Sequence, residues 1–76
     1  MNKKKEIDKL VRLTILNNFI SSKLKEQKTI VKSFVGEEKV LKGLEHKMNV
    51  IKTLLQISKR SIDKTVIVIR HEYKIY

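Results

Sequence analysis

The sequence predicts a mainly α protein: a helical hairpin or small helical bundle, with a β-strand as the competing reading for its last segment. Three observations carry this. Apolar residues recur every three or four positions over most of the chain. Gly36 separates two such stretches. Five consecutive β-branched residues, Thr65 to Ile69, then interrupt the pattern near the end.

The first element covers residues 3–35. Ile7, Leu10, Leu13, Leu16, Ile20, Leu24, Val31 and Phe34 follow a helical period, with Gln27 filling one gap. Asn2 suits an N-cap, and Glu6 and Asp8 fall where the helix dipole favours negative charge. Asn17, Asn18, Ser21 and Ser22 weaken the middle and mark a candidate break at Ser21–Ser22. Thr29 to Val35 is β-branched enough to compete as a short strand.

Gly36 is a stop. It suits the left-handed residue just past a helix end, with Lys32 in the turn before it. Glu37 and Glu38 then place acids at the start of the next helix.

Residues 37–58 give the clearest helix. Leu41, Leu44, Met48, Ile51 and Leu55 alternate spacings of three and four, the pattern of a helix packed against another. Val40 and Leu54 widen the stripe to one side. Gly43 lies inside, at a cost of about 1 kcal/mol relative to alanine, and would suit a close helix approach.

Residues 64–76 admit two readings. Ile62, Val66, Ile69, Tyr73 and Tyr76 fit a continued helix. A strand is favoured, because β-branched residues lose rotamer freedom in a helix and Ile69 to Ile75 alternate with charged residues. Such a strand would pair with residues 29–35 or with its copy in a second chain.

Seventy-six residues make a single domain, 1–76, with a thin core. There is no cysteine, which removes disulfides, thiolate metal sites and thiol chemistry. His46 and His71 are too few to hold a structural metal without carboxylates. Association into a homodimer is then the expected support. No apolar run is long enough to span a bilayer. Lys3 to Lys5 resemble the charged start of a signal peptide, but Glu6, Asp8, Lys9 and Arg12 interrupt any apolar region after it. The expectation is a cytoplasmic protein.

The formal net charge is +10, and its distribution is uneven. Residues 1–32 carry +6, residues 33–58 carry +1 and residues 59–76 carry +3. Folding that gathers the two ends would make one cationic surface, which attracts polyanions. The densest clusters supply the candidate binding residues: Lys3, Lys4, Lys5, Lys9 and Arg12 at one end, Lys59, Arg60 and Lys64 near the other. Residues 58–64 read as a basic loop, with Ser58 and Ser61 as added phosphate donors.

Fifteen of the eighteen cations are lysine, which meets phosphate as a point charge rather than reading base edges as a fork. A helix-turn-helix around Gly36 is disfavoured, since Glu37 and Glu38 open the helix that would enter the groove.

Catalysis finds no support. Glu45–His46 on a helix and His71–Glu72 on a strand would each diverge, and no phosphate loop or cysteine nucleophile is present. No cofactor is expected. The leading expectation is a non-enzymatic regulator that binds the DNA or RNA backbone. The alternative is a protein-interaction module (inhibitor, adaptor or scaffold) docking its helices on a larger acidic partner. A third, weaker expectation sets residues 3–24 on an anionic membrane surface.

Overall fold

The computed structural model describes residues 3–73, which form two long helices: α1, Lys3–Ser33, and α2, Glu38–Tyr73. They fold back on each other through residues 34–37 as an antiparallel hairpin. Its extents are 55 × 20 × 14 Å.

One seam joins the helices. On α1 the less exposed positions are Glu6, Leu10, Leu13, Asn17, Ile20, Leu24, Gln27, Val31 and Phe34. On α2 they include Leu41, Leu44, Met48, Ile51, Leu55, Ser58, Ile62, Thr65, Ile69 and Glu72. Both series alternate steps of three and four, the a/d repeat of a two-stranded coiled coil. The core is thin. Among the described residues only Leu24 and Leu55 are apolar and buried, each 8% exposed.

Several seam positions are polar. Gln27 is 3% exposed and donates from Nε2 to the Leu44 carbonyl across the interface, at 3.0 Å. This bond ties one level of α1 to one level of α2. A polar residue at such a position specifies register at some cost in stability. Asn17 Oδ1 and Ser58 Oγ are buried with no hydrogen-bond partner.

The C-terminal strand is not observed. Residues 64–73 are helical, and the last three residues of the strand reading lie outside the described residues. Ile62, Thr65 and Ile69 continue the a/d series of α2, so helix keeps them against α1. β-branched residues cost up to about 0.7 kcal/mol each in a helix, and seam packing exceeds that. Thr65 also donates to the Ser61 carbonyl at 2.8 Å, within its own helix. Residues 29–33 are likewise helical rather than extended, with Thr29 donating to the Lys25 carbonyl and Ser33 to the Thr29 carbonyl. With both segments helical, a dimer paired through these strands has no basis. Nor does α1 break at Ser21–Ser22.

Gly36 ends no helix in a left-handed conformation. Its role is space: a Cβ there would lie 2.7 Å from Cζ of Phe34, whose ring folds over the turn. The carbonyl of Glu37 accepts from the amides of Val40 and Leu41, both at 3.1 Å, to start α2. A Cβ at Gly43 would meet nothing within 4 Å, so this glycine serves no close helix approach. Asn2, the expected N-cap, lies outside the described residues.

Candidate polyanion-binding surface

An antiparallel hairpin returns the end of α2 to the start of α1. Lys9 of α1 and Lys64 of α2 therefore line one shallow hollow of about 190 Å³, together with Glu6, Leu13, Ser61, Thr65 and Val68. Lys4, Lys5, Lys9 and Arg12 flank a second open hollow with Glu6 and Asp8. These cations are all exposed.

The heptad positions show which cations share a side. Taking seam residues as a and d, Lys9 is at g, and Lys5, Arg12 and Lys64 are at c. In an antiparallel pair the two g flanks lie side by side. The hollow lined by Lys9, Ser61, Lys64 and Val68 confirms this arrangement. Lys5, Lys9, Arg12 and Lys64 thus share one side of the open end. Lys4 at b and Lys59 at e point to the other side, and Arg60 at f lies on the back of α2. Lys3 opens α1 at the same end.

The expected basic loop at residues 58–64 is a mid-helical stretch of α2. Ser58 faces the seam with 4% exposure, so it cannot reach a phosphate. The loop reading fails because Leu55, Ser58, Ile62 and Thr65 carry the seam repeat through the basic residues without a break.

Charge within this end is only partly compensated. Residues 3–12 and 59–73 hold nine Lys/Arg against Glu6, Asp8, Asp63 and Glu72, a net +5. Two ion pairs lie toward the turn: Lys23 with Glu26 at 3.5 Å and Lys42 with Glu38 at 3.7 Å. Both are exposed and contribute little to stability.

A second feature was only half legible in the sequence. Residues 13–22 carry no charge, and the stretch of α2 opposite them, residues 49–58, carries only Lys52. On the g side this belt exposes Leu16, Phe19, Val50, Leu54 and Ile57, each 45–59% open. Lys23, whose Nζ lies 5.4 Å from the centre of the Phe19 ring, borders it toward the turn. The missing charges in residues 13–22 were the available signal.

No candidate metal centre of three or more His, Cys, Asp or Glu exists among the described residues. Glu45 and His46 are both exposed on α2, and no helix among the described residues is long and apolar enough to cross a membrane. Compared with family models, curated proteins and solved structures, the chain finds no match in any of the three.

Proposed function

We propose that this chain is a non-enzymatic binding protein for the phosphate backbone of nucleic acid, acting in the cytoplasm as a homodimer. The supporting observation is the meeting of Lys9 and Lys64 in one hollow, which makes the two basic chain ends a single cationic pole. Like-charged side chains held together against Coulomb repulsion form a surface that a polyanion relieves. The predominance of lysine favours backbone contact over base readout, so sequence preference should be weak.

The test is fluorescence anisotropy with a random labelled duplex and a single strand across a salt series. Binding should weaken linearly in log–log form, with a slope near −0.9 per phosphate neutralised on duplex. No binding to either probe at low salt would overturn the proposal.

A further inference from the structure

We infer that the uncharged belt at the middle of the hairpin is a self-association surface, on which a second copy of this chain packs antiparallel to form a four-helix bundle. This deepens the homodimer of the proposed function and does not depend on nucleic acid.

The size of the exposed surface argues for a missing partner. The chain exposes 6366 Å² at 9.0 kDa. A compact monomer of that mass exposes about 4,900 Å². Its radius of gyration is 17.1 Å, against about 11 Å for a globular chain of this length. The excess surface, about 1,500 Å², is more than the roughly 800 Å² each partner gives to a standard interface.

The position of the apolar residues selects where that area is lost. Leu16 and Phe19 of α1 and Val50, Leu54 and Ile57 of α2 lie on the same flank and at the same level of the hairpin. The e flank at this level offers Thr14, Ser21 and Lys52 instead. Other exposed apolar residues, such as Val11, Ile15 and Ile67, lie off the g flank and do not join the belt.

Charge permits a second copy on the belt and selects its direction. Nothing in the belt itself repels a like-charged copy, because its cations stand at the two borders: Lys23 and Lys47 toward the turn, Lys9, Arg12 and Lys64 toward the open end. Parallel seating would stack two cationic poles. Antiparallel seating sets each pole, net +5, beside the other copy's turn half, where seven lysines against four glutamates over residues 23–47 leave a smaller net charge of +3. Two hairpins seated this way bury one flank of every helix, the arrangement of a four-helix bundle.

Sedimentation equilibrium of the nucleic-acid-free protein tests this. The wild type should run at twice the 9.0 kDa chain mass, with a thermal midpoint that rises with concentration. Leu54→Glu combined with Phe19→Glu should shift the mass to that of one chain. The flank control, Thr14→Glu with Ser21→Glu, should stay at the double mass. If the belt variant loses its helical circular dichroism, the wild-type concentration dependence still decides. A wild type that stays monomeric with a concentration-independent midpoint overturns the inference and leaves the belt to a different protein. Dissociation of the flank control with a helical, dimeric belt variant moves the interface to the other side and also overturns it. Salt-dependent nucleic-acid binding by a monomer would keep the proposed backbone binding while rejecting the dimer.

Discussion

Ser58 lies in the seam with its hydroxyl buried and unpartnered, although the same residue type at position 33 bonds back along its own helix. Replacing it by alanine removes a desolvated polar atom whose burial costs about 1–3 kcal/mol. Alanine adds roughly 0.5 kcal/mol of helix propensity. Against this stand the dispersion contacts of one oxygen, several at about 0.1–0.2 kcal/mol each. The net is a stabilisation of about 1–2 kcal/mol. For a domain of this size each kcal/mol moves the midpoint by about 4–8 °C. Far-UV circular dichroism on thermal and urea unfolding, at one fixed protein concentration, reads the effect. The urea midpoint should rise with an unchanged m-value. Gln27→Ala is the opposing case. Gln27 is as deeply buried but satisfied by the Leu44 carbonyl. Its truncation removes that bond and opens a cavity, and should destabilise by about 2 kcal/mol. An unchanged or lower midpoint for Ser58→Ala would refute the reasoning, since it would mean that the hydroxyl is solvated or paired in solution.

Three further outcomes follow from the same structure. Leu55→Ala removes one of the two buried apolar side chains among the described residues and should cost about 3 kcal/mol in urea unfolding. Gly43→Ala adds a Cβ in open space on an exposed helical turn and should stabilise by about 1 kcal/mol, seen as a raised thermal midpoint. Lys9→Gln with Lys64→Gln should reduce the salt slope of nucleic-acid binding by about 2, while Lys39→Gln with Lys42→Gln near the turn should leave it unchanged.

The hairpin itself was legible in the sequence because helical spacing recurs on both sides of Gly36, even though residues 29–35 also read as a strand and Ser21–Ser22 as a break. The C-terminal segment was not. Local β-branching at residues 65–69 argues for a strand. What decides is the seam, where Ile62, Thr65 and Ile69 meet the start of α1, and that contact is invisible to a local pattern. Gln27 shows the same limit: it looks like a gap in an apolar stripe, yet it makes the cross-helix bond that ties the two helices together. The cationic residues were all identifiable by density alone, but their division between two sides of the pole required heptad positions on both helices.

The two proposals together constrain how long a nucleic acid must be. In an antiparallel dimer the cationic poles lie on opposite sides of the belt. The belt centres near residues 16–19 and the pole near residues 3–12, about ten residues apart. At about 1.5 Å per residue that is roughly 15 Å, so the poles of a dimer stand about 30 Å apart. One turn of duplex DNA advances about 34–36 Å. A duplex of one turn or more can therefore touch both poles, whereas a half-turn duplex reaches only one. Two-site engagement exceeds single-site affinity by about 100-fold or more. Affinity measured against duplex length at fixed low salt should rise steeply near one turn and only slowly beyond it. Belt substitutions Phe19→Glu and Leu54→Glu should abolish that step while leaving the weak binding of short duplexes. A smooth, statistical rise with length in the dimeric wild type would separate the two proposals, because it would show the poles acting independently.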